Sequence, residues 1–239
     1  MNFKERIEQE EIMDQGSMEL DVLAAAYRDI NRSNQFLGGF SASYKVLRRL
    51  ILSDRKSGTV RVLDMGCGDG GMLRHLARQF RKLEIPIEFL GLDLNTDAIA
   101  LARQNSIGYP EIRYESANIL NYQGETSRHD YVLCTLTLHH FNDNEIPGVI
   151  GACQSSCHRA VIINDLQRSK SAYYLFKIFS AIFIRSAVAS NDGLVSIRKA
   201  FRKNELLEVS KRFPNWEHSI KWNWAYRYVW VIKKKRPTP

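Results

Sequence analysis

Five short apolar runs recur along the chain, at 60–64, 88–94, 112–116, 130–135 and 160–164. Each has the length of a buried strand, and helix-like sequence separates most of them. Segment 72–82 sets Met72, Leu73, Leu76, Ala77 and Phe80 on one helical face. Segment 96–104 does the same with Ala98, Ile99, Leu101 and Ala102, behind an Asn95-Thr96-Asp97 cap signal. A third helix is expected over 144–156, opened by Asp143. Strand alternating with helix predicts a parallel sheet with helices on both faces. The pattern then changes to a helix over 204–212 and two successive strands at 219–224 and 226–232. The expected fold class is α/β: a doubly wound sheet of seven strands, mostly parallel, closed by a C-terminal antiparallel hairpin.

Two segments lie outside this core. Residues 18–52 are helical in period and broken by Phe36-Leu37-Gly38-Gly39-Phe40. Residues 172–189 are apolar almost all round, and read either as a core helix or as a lid over a crevice. No repeat or linker stands out, so one domain over 1–239 is expected. Its parts are an N-terminal helical cap (18–52), a ligand-binding core (58–165), a lid or substrate insertion (168–203), and a C-terminal helix and hairpin (204–239).

Composition changes this picture little. A hydrophobic fraction of 44% and a charged fraction of 25% are ordinary for a globular chain. The net charge of +8 is partly local, in Lys233, Lys234, Lys235 and Arg236, and a solvated basic tail accounts for it. Cys67, Cys134, Cys153 and Cys157 form no CxxC pair and read as reduced, buried thiols of a cytoplasmic protein. The charged N-terminus has no apolar core of a signal peptide, and no run reaches a membrane span.

The chemistry concentrates in Val62-Leu63-Asp64-Met65-Gly66-Cys67-Gly68-Asp69-Gly70-Gly71. In an open parallel sheet, ligands sit beyond the carboxyl ends of the strands, where strand order reverses. Glycines there permit a tight turn and close approach of a ligand. Asp93 ends the second strand and can accept from two ribose hydroxyls. Glycines plus this acid would fit a dinucleotide, but Asp64 would repel a pyrophosphate and suits a ligand with a cationic amine. Asn118 follows the third strand, and the fourth runs into Thr135-Leu136-Thr137-Leu138-His139-His140-Phe141.

These stretches, with Gly91-Leu92-Asp93-Leu94, Ser116-Ala117-Asn118-Ile119 and His129-Asp130-Tyr131-Val132-Leu133-Cys134, resemble the successive motifs of class I S-adenosylmethionine-dependent methyltransferases. The likeness covers about residues 58–165. The Leu-His-His-Phe ending is similar to the small-molecule branch that includes ubiquinone and menaquinone enzymes. The segments 164–168 and 192–201 look like those of enzymes in polyketide, quinone or aryl-pigment pathways. The resemblance implies a Rossmann-like fold and a transferase using S-adenosylmethionine, released as S-adenosylhomocysteine, without a metal. Many members carry aspartate where Asn118 stands, which would make the adenine contact an amide's, donor and acceptor exchangeable.

On this reading the cofactor residues are Asp64, Gly66, Cys67 (by backbone), Gly68, Gly70, Asp93, Leu94, Asn118, Ile119 and Thr135. A histidine near its ordinary pKa of about 6.5 can take a phenol's proton. His140 is slightly preferred over His139 as that base, and the histidines show no carboxylate at metal-supporting spacing. Asp165 reads as second base, substrate acceptor or helix N-cap, with the cap favoured. His139, Asp165, Arg198 and Tyr27 are the substrate-side candidates, and Arg32, Asn34 and Phe36 belong to the covering segment. The expected acceptor is a small, lipophilic aromatic or phenolic molecule, with O-methylation ahead of C-methylation. The rivals are an RNA methyltransferase and a non-catalytic donor-binding module. Nucleic acid is disfavoured as a partner, because no motif for a flipped base follows the fourth strand. Transient contact with a membrane surface is compatible with the apolar insertion.

Overall fold

The computed structural model describes residues 2–16, 18–54, 58–122 and 129–235. Seven strands form one sheet: β1 (Val60–Met65), β2 (Ile87–Asp93), β3 (Ile112–Ser116), β4 (His129–Thr135), β5 (Cys157–Leu166), β6 (Trp216–Asn223) and β7 (Arg227–Lys234). Their order is β3-β2-β1-β4-β5-β7-β6, and β7 alone is reversed, pairing antiparallel with β5 on one side and β6 on the other. Strand order reverses between β1 and β4, so the carboxyl end of β1 opens on a crevice between the two halves. This is the architecture expected from the sequence.

The helices are α1 (Leu20–Phe36), α2 (Gly39–Asp54), α3 (Gly71–Arg81), α4 (Thr96–Asn105), α5 (Ile146–Ser155), α6 (Lys170–Phe183), α7 (Ala187–Lys199) and α8 (Lys203–Ser210). The strands carry near-continuous apolar runs because both sheet faces are covered. One core gathers Leu47, Leu73, Leu76, Phe80 and Phe89 under α2 and α3. The other gathers Val132, Val149, Ile150, Phe201 and Trp230 under α5 and α8. The break in the N-terminal segment falls where expected: Gly38, at φ +74°, lets the chain turn between α1 and α2.

Two expectations need correction. The apolar run 172–189 is two helices, parted at Ile184 by extended backbone and by Ser186, whose side chain accepts from Ala189 N–H as a cap. Gly193 lies inside α7, and the Phe176 ring of α6 packs into the space a Cβ would take. Asp143 does not open α5, which starts after Glu145; Asp143 pairs with Arg6 at 2.5 Å instead. Of the basic C-terminal cluster, Arg236 lies outside the described residues.

Several apolar side chains of α6 and its neighbours stay exposed. Ile178 is 61% exposed, Ile182 68%, Phe36 68% and Trp224 64%. Trp230 is fully buried, so strand packing explains that tryptophan but not Trp224. Among the described residues, no helix is long and apolar enough to cross a membrane.

Candidate functional site

The glycine turn after β1 is fixed from below. Gly66 N–H and Cys67 N–H both donate to Leu92 C=O, at 2.8 and 2.9 Å, and Gly68 N–H donates to Asp93 Oδ2 at 2.8 Å. Gly66, Gly68 and Gly70 all take positive φ, of 80°, 53° and 77°. A Cβ on Gly68 would stand 2.7 Å from the Tyr27 ring. The glycine thus lets α1 lay Tyr27 over the turn, so its bareness serves the covering helix as well as a ligand.

A cavity of about 970 Å³ opens over this turn. Its wall brings together Asp64, Gly66, Cys67, Gly68, Asp93, Leu94, Asn118, Ile119, Thr135, Tyr27, His139 and His140. Gly70, Asp165 and Arg198 are not among the residues that line it. Asn34 of the covering segment lines it; Phe36 and Arg32 do not, and Arg32 Nη1 lies 3.8 Å from Asp29. Leu175, Phe176 and Phe179 of α6 close an apolar side of the same cavity.

Asp64 is 1% exposed and its Oδ1 has no hydrogen-bond partner among the described residues. Burial, with the nearby Asp93 charge, pushes its pKa up to about 7. A buried carboxylate held this way is stabilised by a cationic ligand. Asp93 is differently placed. Its carboxylate accepts from Gly68 N–H and, at 3.0 Å, from Asn95 N–H. Burial raises its pKa against those two bonds. Asn118 Oδ1 accepts from Leu120 N–H at 2.9 Å, capping a short turn over Ile119–Asn121. That bond orients the amide, with a second lone pair of the oxygen left to accept and the NH₂ left to donate.

The two histidines part company. Leu138–His140 is a single 3-10 turn. His139 is 2% exposed, and its Nδ1 lies 2.7 Å from Asp165 Oδ1. Asp165 Oδ2 accepts from His139 N–H at 3.1 Å, and Oδ1 from Leu166 N–H at 2.7 Å. Asp165 is thus no helix cap: Ser169 caps α6, and Asp165 sits behind His139. On the other side, His139 Nε2 faces Glu11 Oε1 at 3.5 Å. His140, half-buried, pairs with Asp14 Oδ2 at 2.7 Å. Burial disfavours the charged ring of His139, but Asp165 and Glu11 outweigh it and raise its pKa to about 9. Burial also opposes the Glu11 charge, yet His139, His140 and Lys199 hold its pKa down at about 2.

Glu11 and Asp14 come from an N-terminal strap that sequence reasoning missed. The strap is pinned by α7: Asp192 accepts from Ile12 N–H at 2.9 Å and Met13 N–H at 3.0 Å. No local signal announces it, since Asp14 and His140 are 126 residues apart. It corrects the expectation that no carboxylate supports the histidines. Glu11, His139 and His140 offer ligand atoms within 4.8 Å of one another. Lys199 Nζ lies 3.6 Å from Glu11 Oε1, so the cluster already holds a cation. Arg198 is likewise misplaced by sequence reasoning, for it lies on α7 outside the cavity wall.

Residues 62–159 match the family model described as a methyltransferase domain. The non-reducing polyketide synthase tazA of Aspergillus terreus is 31% identical over 99 residues, 41% of this chain and 4% of that protein. The fatty-acid O-methyltransferase of Mycolicibacterium smegmatis is 50% identical over 44 residues, 18% of this chain and 15% of that protein. The chain thus spans only a small part of the length of these relatives. Among solved structures, the plantazolicin methyltransferase BpumL, in complex with a monoazolic desmethylPZN analog and SAH, superposes with a TM-score of 0.67 at 16% identity, covering 89% of this chain and 90% of that one. The CMeT domain of the citrinin polyketide synthase gives 0.61 at 14% identity, covering 83% and 52%. The family model thus covers the central part of the chain, and the solved structures share its overall fold.

Proposed function

We propose that the whole chain is an S-adenosylmethionine-dependent methyltransferase of a small, lipophilic, aromatic or phenolic acceptor, with O-methylation favoured and C-methylation next. One observation carries the donor: the buried, partnerless Asp64 carboxylate in the wall of a cavity over the glycine turn. A donor with an α-ammonium and no phosphate is the ligand this carboxylate favours. Asp93, aimed by two backbone N–H groups, would take the ribose hydroxyls, with Leu94 and Ile119 flanking the adenine. The free NH₂ of Asn118 would donate to a ring nitrogen of the base. When bound, the donor supplies the electrophilic methyl; everything else falls to this chain.

The acceptor side is framed by His139, with Leu175, Phe176 and Phe179 opposite as a lipophilic wall. His139, rather than the sequence-favoured His140, is proposed as the base. Asp165 takes Nδ1, which leaves Nε2, the nitrogen that faces Glu11 at 3.5 Å, as the atom to exchange a proton with the acceptor. A pKa raised to about 9 lies close to a phenol's value of about 10, so proton transfer between them is nearly balanced. The covering helices exclude water and orient the acceptor, which is the main contribution such a displacement needs.

The test is an acceptor library incubated with isotope-labelled donor, read by mass. A methylated product is expected, with His139→Ala losing at least about a hundredfold in rate while donor affinity holds. Full activity in His139→Ala, or loss only in His140→Ala, would remove His139 from the role.

A further inference from the structure

Arg227 opens β7 opposite Leu166 and is 3% exposed. It forms part of the same cavity wall, beside Leu37, Phe40 and Tyr226. Its Nη2 donates to Asn34 Oδ1 at 2.8 Å. Its Nε and Nη1 have no hydrogen-bond partner among the described residues. Nor does a carboxylate stand within ion-pair distance of it among those residues, in contrast to Arg168, which pairs with Glu205. Gly39 makes room for it: a Cβ there would lie 2.9 Å from the guanidinium carbon.

A guanidinium buried without an anion is expensive, since its five donors lose water and gain little. Burial lowers its pKa to about 10, offset only by the more distant Asp165 charge. Its planar fork matches a carboxylate bidentately, which a lysine could not do as well. The fork has two edges, Nε with Nη2 and Nη1 with Nη2; Asn34 takes one N–H of Nη2, which leaves the other edge whole.

We propose that Arg227 is an anchor for a carboxylate on the acceptor, so that the substrate class is a lipophilic or aromatic acid. The inference rests on the reading of this cavity as an acceptor pocket. It deepens that reading by giving the acceptor a charge and a fixed end. The carboxylate enters against the edge of the fork that Asn34 leaves whole, and the apolar body lies along Phe176 and Phe179.

Calorimetry and thermal shift with octanoate and 4-hydroxybenzoate, against octanol and phenol, test it with and without S-adenosylhomocysteine. The acids are expected to bind and raise the melting temperature of the wild type more than the neutral partners do. Arg227→Met should lose at least about tenfold in acid affinity, with S-adenosylhomocysteine affinity unchanged. Arg227→Lys should recover part of the loss. A buried arginine with a merely structural role predicts something else: a lower melting temperature in Arg227→Met and equal binding of acid and alcohol. No preference for the acids, or acid binding unchanged in Arg227→Met, overturns the proposal. Failure of S-adenosylhomocysteine itself to bind would instead strike the methyltransferase reading.

Discussion

At the scale of single residues, Asp64 carries the most consequence. Its carboxyl is buried, and its backbone lies in register with Gly91 of β2 and Leu133 of β4 on the two sides of β1. With a pKa pushed up to about 7, it is half-protonated at neutral pH without ligand. Pairing with an ammonium requires the charged form, so donor affinity should fall as pH drops through about 7 and not as it rises. Between pH 8 and pH 6 the loss through this group is about tenfold, one pH unit of protonation at full effect. The donor's own ammonium titrates nearby at about pH 8. Asp64→Asn supplies the reference, and its affinity should be weaker and free of the enzyme's share of the pH dependence. Calorimetry at the two pH values checks this; an identical pH dependence in wild type and Asp64→Asn would contradict it. Asp64 was legible from the sequence, because a lone acid before the glycines conflicts with phosphate. Arg227 was not, because an arginine at the start of a late strand looks like any surface cation until burial is known.

At the scale of elements, the N-terminal strap bears on the charge of His139, the proposed base. Glu11 faces His139 Nε2, the nitrogen that would meet the acceptor, and Asp192 of α7 holds the strap in place. In this arrangement His139 is cationic at neutral pH, since its pKa stands at about 9. That value lies above the ordinary 6.5, so the pairing stabilises strap docking fully below about pH 6.5, and the benefit is lost as pH rises through about 9. A base must be neutral to act, so the rate should climb as pH rises toward 9. Glu11→Gln removes one of the two charges that raise the pKa. The ascending limb of the pH–rate profile should then move to lower pH; a limb that stays put or moves up would refute the coupling. Strands and helices of the core were readable because their apolar periods are local. The strap and the split of 172–189 into α6 and α7 were not: contacts such as Asp192 to Ile12, 180 residues away, leave no local trace. The expected cap role of Asp165 failed for the same reason, since its partner His139 lies on another strand's end.

At the scale of the whole molecule, the doubly wound class and the hairpin closure follow from patterns visible in the chain, whereas the strand order and its reversal between β1 and β4 are set by contacts between distant segments. The cavity collects twelve of the proposed site residues from four strand ends and α1, and adds an apolar wall from α6 that the sequence left open between core and lid. Both halves of the account, donor and acceptor, depend on one claim: that the cavity over the glycine turn is the donor site. Calorimetric titration of the wild type and Asp93→Ala with S-adenosylmethionine tests it most directly. One molecule should bind per chain, and Asp93→Ala should bind at least about tenfold more weakly, the cost of losing hydrogen bonds to a charged group. Absence of binding by the wild type, or an affinity unchanged in Asp93→Ala, would contradict the account.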